Sequence, residues 1–182
     1  MKISLERIFY PLKTLGPGNR VGIWSTGCPR QCPGCISPEL QRYDVNREVS
    51  VEYIMSMINT IPGSIDGFTI SGGEPFLKPS VLNQLVHELA VINDDILIFT
   101  GYTYAELVEK NDPNIREILE ICSVLIDGPY VQNLHCDNGL RGSSNQNIWV
   151  FKHKEKYEDI EDCKRNLQAI VRDGNIITLG IP

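Results

Sequence analysis

A chain of 182 residues is the usual size of one domain and is long enough to bury a substantial apolar core. Its 42% hydrophobic and 22% charged residues exclude an intrinsically disordered chain, and its net charge of −6 argues against a nucleic-acid partner. The sequence has no apolar run near the roughly 18 residues that a membrane span requires, and charges interrupt the N-terminus where a signal peptide is apolar. We therefore expect a cytoplasmic protein with no membrane partner.

After an N-terminal arm, residues 1–19, the spacing of apolar residues predicts strands and helices in regular alternation. Short runs rich in apolar residues predict buried strands over residues 21–24, 67–70, 96–99 and 124–126, of which the last two are apolar throughout. Helical spacing predicts amphipathic helices over residues 49–61, 81–89 and 104–121, the last interrupted near Asp112-Pro113. This alternation is typical of a parallel α/β sheet, whose ligands bind at the carboxyl ends of the strands.

The C-terminal extension, residues 147–182, begins with a lysine-rich segment and predicts a short helix over residues 157–167. Asp173-Gly174 then lies between two apolar runs, which predicts a β-hairpin. A complete eight-stranded α/β barrel takes roughly 200 to 250 residues, so this length favours an open, partial barrel. Because the sequence shows no linker or internal repeat, we expect a single domain over residues 1–182.

Three cysteines directly follow the first predicted strand. Cys28, Cys32 and Cys35 form a C-x3-C-x2-C pattern in a Gly/Pro-rich stretch, residues 26–35, which we call the cysteine loop. Thiolates are soft ligands that suit iron–sulfur clusters and zinc, and three of them hold three corners of a tetrahedron. A structural zinc site would close the fourth corner with another cysteine or histidine, and none follows closely. An iron–sulfur cluster with one open iron is therefore favoured over a zinc site completed by one of the remote cysteines, Cys122, Cys136 and Cys163.

Five other short motifs accompany this loop in a definite order along the chain. They are Gly16-Pro17-Gly18 with Arg20, Ser71-Gly72-Gly73-Glu74-Pro75, Thr100-Gly101-Tyr102, Asp127-Gly128 and Arg141-Gly142-Ser143-Ser144-Asn145-Gln146. Together with the cysteines, they resemble the radical S-adenosylmethionine (radical SAM) enzymes. The short chain is most similar to the small activating enzymes of anaerobic ribonucleotide reductase and, more distantly, of pyruvate formate-lyase. The resemblance covers roughly residues 16–146 and implies an open parallel (β/α) barrel of the radical SAM type.

The resemblance also implies which residues bind cofactors. It makes Cys28, Cys32 and Cys35 the ligands of a catalytic [4Fe–4S] cluster. It places SAM against Gly34, Ser71, Gly72, Gly73, Glu74, Thr100, Gly101, Tyr102, Asp127 and Arg141. Taken alone, these residue types leave structural roles open: a tight turn with a helix-capping glutamate, the ends of two strands, and a capped loop.

The reaction that the resemblance implies is the reductive cleavage of SAM to methionine and a 5′-deoxyadenosyl radical, which takes a hydrogen atom from the substrate. In an activating enzyme that substrate is a glycine of a partner glycyl-radical protein, and the electron comes from a flavodoxin- or ferredoxin-type donor. Ile36-Ser37 and the C-terminal extension depart from the pattern of these enzymes. A peptide or small-molecule substrate is therefore an alternative, as is a non-catalytic zinc or iron–sulfur module.

Overall fold

A computed structural model describes residues 1–172 and 174–182 and shows a mixed α/β fold. Seven strands form one sheet in the order β3-β1-β2-β4-β5-β6-β7. They are β1 (Lys2–Leu12), β2 (Arg20–Ser25), β3 (Glu48–Ser50), β4 (Gly67–Gly72), β5 (Ile96–Phe99), β6 (Val124–Asp127) and β7 (Asn147–Val150). Strands β2, β4, β5 and β6 are parallel, whereas β1, β3 and β7 are antiparallel to their neighbours. The predicted parallel α/β sheet is therefore confirmed for its four central strands.

Four α-helices connect the parallel strands. They are α1 (Val51–Ile58), α2 (Pro79–Ile92), α3 (Tyr104–Glu109) and α4 (Pro113–Ile121). Ser50 caps α1 as predicted, since its side chain accepts a hydrogen bond from the Tyr53 amide at 3.2 Å. The predicted break between α3 and α4 is confirmed too, because Pro113 starts a new helix that Asp112 caps. Among the described residues, no helix combines the length and apolar character needed to cross a membrane.

The two faces of the sheet have different covers. Side chains such as Ile23, Ile70 and Ile98 belong to the large apolar core that includes the buried residues of the helices. Their neighbours along the strands point the other way, because side chains alternate across a strand. On that second face, Leu97 packs with Tyr157 from the C-terminal extension. Trp24 packs in a third apolar cluster with Leu12, Leu15, Leu40 and Leu179.

At the amino ends of the parallel strands lies a buried charge cluster. Arg20, the first residue of β2, is fully buried and pairs with the buried Asp95 just ahead of β5 at 3.2 Å. Its Nε also donates to the Thr69 hydroxyl at 2.8 Å. The Tyr157 hydroxyl and the Lys156 ammonium both donate to the Asp95 carboxylate. Burial opposes ionisation of Asp95, but the Arg20 charge and these hydrogen bonds hold its pKa below the ordinary value.

The C-terminal extension differs from its prediction in one element. The predicted helix over residues 157–167 is wrong: a short 3-10 helix, Lys154–Lys156, is followed by turns and irregular chain. The predicted hairpin exists as β8 (Gln168–Arg172) paired antiparallel with β9 (Asn175–Leu179). Asp173 of the predicted turn lies outside the described residues.

Tertiary contacts explain why the helix does not form. Only Tyr157 and Ile160 of this segment are buried, which is too few to make a continuous apolar stripe on a helix. The guanidinium of Arg165 instead donates hydrogen bonds to loop carbonyls, to that of Cys136 at 2.5 Å and to that of Gly139 at 3.0 Å. Helix propensity adds little to oppose these contacts, since the segment contains the poor helix formers Asp159, Asp162 and Asn166.

Three strands have no counterpart in the predicted elements, and one of them, β3, takes up the start of the helix predicted over residues 49–61. The arm, residues 1–19, contains β1, whose alternation of apolar and charged residues is masked by Pro11. Strand β7 directly follows the last polar motif and pairs with β6 from Val124↔Val150 to Asp127↔Asn147. All three strands lie towards the edges of the sheet, where burial is partial and the apolar signal is weak.

Candidate functional site

The cysteine loop and the loop of residues 71–75 leave the sheet side by side. Strands β2 and β4 stay paired to their last residues, with Trp24 opposite Ser71 and Ser25 opposite Gly72. Beyond the strands, the Gly73 amide donates to the Ser25 carbonyl at 2.8 Å. Parallel pairing therefore brings the two most distinctive motifs of the sequence into direct backbone contact.

That contact explains the two consecutive glycines. A Cβ on Gly72 would lie 2.2 Å from the Ser25 carbonyl oxygen, and one on Gly73 would lie 2.4 Å from the Gly27 carbonyl oxygen. Gly72 also has a φ of +117°, a conformation that side chains disfavour. Both glycines are thus required by the close approach of the loop backbones to each other.

Hydrogen bonds at its start and left-handed residues further along shape the cysteine loop. The amides of Gly27 and Cys28 donate to the carbonyls of Leu40 and Gln41, both at 2.8 Å. Gly27, Gln31 and Gly34 have positive φ angles of 95°, 45° and 74°. A chain with repeated left-handed residues curls tightly instead of extending, which allows closely spaced side chains to surround one object.

All three loop cysteines line one cavity of about 580 Å³. They are free thiols and half-exposed. Six other predicted site residues share this lining: Gly34, Ser71, Gly72, Gly73, Thr100 and Gly101. The volume lies within the roughly 300–1,000 Å³ of pockets that hold cofactor-sized molecules. Burial raises the pKa of Cys28, and the negative charge of Glu74 adds to this effect.

The three loop thiols line the cavity together without forming a single-ion site. In the described part of the chain, no three His, Cys, Asp or Glu side chains are grouped as a single metal ion would require. A [4Fe–4S] cluster takes each thiolate on a different iron atom, so its cysteines stand around it. The donor set of three free thiols on one curled loop therefore suits the chemistry of such a cluster.

The three remote cysteines lie elsewhere. Cys122 is fully buried in the main core, where burial raises the pKa of its thiol to about 12. Cys136 and Cys163 are half-buried, and neither is among the residues that line the cavity. The structure therefore places none of the three beside the cysteine loop in this cavity.

Glu74 is buried and does not line the cavity. Its carboxylate accepts hydrogen bonds from the amides of Phe76 at 2.9 Å and Gly101 at 2.7 Å, and from the Thr100 hydroxyl at 2.8 Å. Its own amide donates to Gly27 at 2.8 Å. Burial raises the pKa of this carboxyl group, although the three hydrogen bonds oppose the shift. Glu74 thus connects the loops that follow β2, β4 and β5.

Tyr102, Asp127 and Arg141 also lie outside the lining. Asp127 is buried and accepts hydrogen bonds from the amide of Tyr104 at 2.5 Å and the indole of Trp149 at 3.0 Å, which connects β6 to α3 and β7. Arg141 approaches Glu161 at 3.6 Å. The contacts of Asp127 and Arg141 are thus with other parts of the protein, outside the cavity lining.

Arg30, which stands between the first two cysteines, is a lining residue that the motifs do not single out. Its guanidinium pairs with Glu106 at the start of α3 and lies 4.5 Å over the Tyr102 ring. Hydrogen bonds from Arg30 and the Thr103 amide lower the pKa of Glu106 to about 2. Tyr102 therefore contacts the cysteine loop through the side chain of Arg30.

Tyr130 and His135 are two further lining residues without a sequence signal. Nδ1 of His135 lies 3.3 Å from the Tyr130 hydroxyl, and Nε2 lies 3.2 Å from the Asp137 carboxylate. A histidine in a polar loop has no pattern that sets it apart, so only the three-dimensional structure shows its position.

The sequence is similar to a known protein family and to several known proteins. The model of a family described as "4Fe-4S single cluster domain" matches residues 14–149. The chain belongs to this family. It is 32% identical over 149 residues to the anaerobic ribonucleoside-triphosphate reductase-activating protein of Salmonella typhimurium, covering 76% of this chain and 93% of that protein. The protein of the same name from Enterobacteria phage T4 is 29% identical over 163 residues, covering 83% of this chain and 99% of that protein.

A pyruvate formate-lyase-activating enzyme of Staphylococcus epidermidis is 26% identical over 155 residues, covering 80% of this chain and 59% of that enzyme. These similarities confirm the predicted kinship with the radical SAM activating enzymes. The family description also supports an iron–sulfur cluster. The family match ends at residue 149, so most of the C-terminal extension lies beyond it.

Proposed function

We propose that this protein is a radical SAM activating enzyme that generates a glycyl radical on a partner protein, such as an anaerobic ribonucleotide reductase. The observation that carries the proposal is the position of Cys28, Cys32 and Cys35 around a single cavity at the carboxyl ends of β2, β4 and β5. The names of the relatives give the class of partner. The central sheet, in this proposal, is the open partial barrel of the radical SAM enzymes.

The three thiolates would hold a [4Fe–4S] cluster, and the same cavity would receive SAM. When bound, the cluster supplies the electron that cleaves SAM to methionine and a 5′-deoxyadenosyl radical, which removes a hydrogen atom from the glycine Cα of the partner. The chain itself provides the cavity and orients the cluster and SAM within it. A flavodoxin- or ferredoxin-type protein of the cytoplasm would supply the electron.

The lining offers distinct groups for the polar parts of SAM. Ser71, Gly72 and Gly73 present backbone and hydroxyl groups at the end of β4, which suit an ammonium or carboxylate group. Thr100 and Gly101 line the neighbouring part of the cavity, directly after β5. Glu74 would act as a positioning residue, because its carboxylate fixes both of these loops and does not face the cavity.

The floor of the cavity would keep water away from the reacting groups. Its buried residues Leu15, Trp24, Leu40, Leu140 and Leu179 are apolar. A radical that forms next to such a surface meets few exchangeable protons and little water, which limits side reactions.

Anaerobic reconstitution of the full chain with iron and sulfide tests the proposal. We expect a brown protein with about four irons that releases 5′-deoxyadenosine from SAM under reductant. Mixing it with an anaerobic ribonucleotide reductase encoded beside it should give the electron-spin signal of a glycyl radical. A colourless protein that retains one zinc ion would overturn the enzyme proposal. Cleavage of SAM without a radical on the partner would overturn the choice of substrate.

A further inference from the structure

Exposure divides the lining of the cavity into a floor and a mouth. Five of its apolar members are buried and form the floor: Leu15, Trp24, Leu40, Leu140 and Leu179. The exposed members of the lining mark where the cavity opens to solvent, and they are Gly34, Ile36, Glu39, His135, Leu167, Thr178 and Pro182. Three segments therefore border the mouth: the cysteine loop with the residues just after it, the loop around His135, and the C-terminal end of the chain.

The C-terminal end contributes to both the floor and the mouth. Leu179 is 3% exposed and belongs to the apolar cluster of Trp24 and Leu40, whereas Leu167 is 52% exposed. We call Leu167 and residues 178–182 the C-terminal wall. All of its residues line the cavity that the three cysteines line.

Two side chains hold the wall in place. Gln168 binds the backbone of the first strand region at two points, donating to the Pro11 carbonyl at 3.0 Å and accepting from the Lys13 amide at 3.2 Å. Arg165 donates to the Pro182 carbonyl at 2.9 Å and to the Gly139 carbonyl at 3.0 Å. These bonds fix the wall to the end of β1 and to the loop that follows His135, so it is a built part of the cavity.

We propose that the C-terminal wall is a specificity-determining element that covers part of the mouth and so limits the size of the substrate segment that reaches the cysteines. The inference rests on the proposed function. A cofactor-sized molecule would take up most of the cavity, which leaves the mouth as the passage for the substrate. The wall lies beyond the residues that the family shares, where features particular to this chain are expected.

The first test measures access to the thiols in the cluster-free, full-length protein. Leu167→Trp should slow alkylation of Cys28, Cys32 and Cys35 by a bulky maleimide several-fold and leave reaction with iodoacetamide little changed. Peptide mass spectrometry resolves each cysteine. The matched control is Ile176→Trp, which adds the same ring at a 73% exposed position of the hairpin that does not line the cavity. Equal rates in the two variants would overturn the proposal.

The second test measures the floor through its own tryptophan. The chain has two tryptophans, so Trp149→Phe leaves Trp24 as the sole reporter. In that background, Leu179→Ala should red-shift the emission of Trp24, which is 8% exposed, and raise its quenching by acrylamide. Val171→Ala, at a 77% exposed position of the same hairpin, is the matched control. Unchanged quenching in the Leu179 variant would show that the wall does not seal the floor.

The third test concerns specificity in the reconstituted enzyme with its partner. Leu167→Trp should lower the yield of glycyl radical several-fold more than it lowers release of 5′-deoxyadenosine, because SAM is smaller than the substrate segment. Equal losses would overturn a role in substrate choice. If the wild-type protein cleaves no SAM, the proposed function is wrong, but the alkylation and quenching contrasts still report on the wall. The two failures are therefore distinguishable.

Discussion

At the amino ends of the parallel strands, Arg20 and Asp95 are buried and paired, whereas at the carboxyl ends three cysteine thiols stand half-exposed around a cavity. Removing either partner of a buried ion pair leaves the other charge uncompensated, so substitutions at the amino end should lower stability. Thiols that form no disulfide contribute little to stability and remain free to bind a metal. The contrast assigns stability to one end of the sheet and chemistry to the other, and substitutions can test it.

The largest expected effect is on chemistry. Replacing Cys28, Cys32 or Cys35 by alanine should abolish iron binding and cleavage of SAM, because each thiolate would hold a different corner of the cluster. Iron content, visible absorbance and release of 5′-deoxyadenosine measure the loss. Cys163→Ala is the matched control, since this half-buried thiol does not line the cavity. Retention of full activity in any of the loop variants would contradict the assignment.

The next effect is on stability. Asp95→Asn should lower the free energy of unfolding by about 3–5 kcal/mol, because it leaves the buried Arg20 charge without its partner. Urea denaturation measures it, and Asp94→Asn is the control. Asp94 is an exposed neighbour that pairs with His153 at 2.9 Å, so its loss should cost less than about 1 kcal/mol.

The same residue predicts a pH dependence. Because the pKa of Asp95 lies below its ordinary value, the stability it contributes is present above the unfolded-state pKa of about 3.9 and is lost as the pH falls through the folded-state pKa. Unfolding curves of the wild type should therefore show a loss of stability below about pH 4 that is smaller in Asp95→Asn. An identical acid profile in the two proteins would contradict this role.

A smaller effect is expected on both stability and iron binding. Gly73→Ala places a Cβ against the Gly27 backbone, so we expect a loss of about 1–3 kcal/mol in stability together with reduced iron binding. Gly63→Ala is a control in open space, 3.9 Å from its nearest atom. Its φ of +93° makes alanine unfavourable by about 1–2 kcal/mol, but iron binding should stay intact. Equal iron content in the two variants would show that the loops are not coupled.

The smallest expected effect concerns the support of Arg30. Glu106→Gln should cost less than about 1 kcal/mol at neutral pH, since the carboxylate is only partly buried. The pKa of Glu106 is lowered to about 2, so the pair contributes above the unfolded-state value and the difference from wild type should vanish as the pH falls towards 2. Paired denaturation curves at neutral and acid pH measure it.

The central part of the fold was predictable because its signals are local. Continuous apolar runs such as Ile96–Phe99 mark strands that are covered on both faces, and Asp112-Pro113 marks a helix boundary. The segment after Lys156 was not predictable, because its path depends on hydrogen bonds from Arg165 to carbonyls far away in the sequence. No local pattern encodes such contacts.

The candidate site shows the same division. The cysteine spacing and the Gly-Gly pair predict the position of the cavity, and nine of the predicted residues line it. Glu74 was predicted as a cofactor ligand, and the structure gives its carboxylate three hydrogen bonds within the scaffold; its role in binding stays a prediction. His135 and Leu179 carry no motif, so their positions at the cavity emerge only from the folded chain.

The buried carboxylate of Glu74 has a consequence for how the protein matures. This carboxylate holds the loops that follow β4 and β5, and the Glu74 amide donates to the Gly27 carbonyl directly ahead of Cys28. The start of the cysteine loop is thus ordered by the sheet before any inorganic material arrives. Iron and sulfide therefore meet a partly preformed site, so less conformational entropy is lost when they bind.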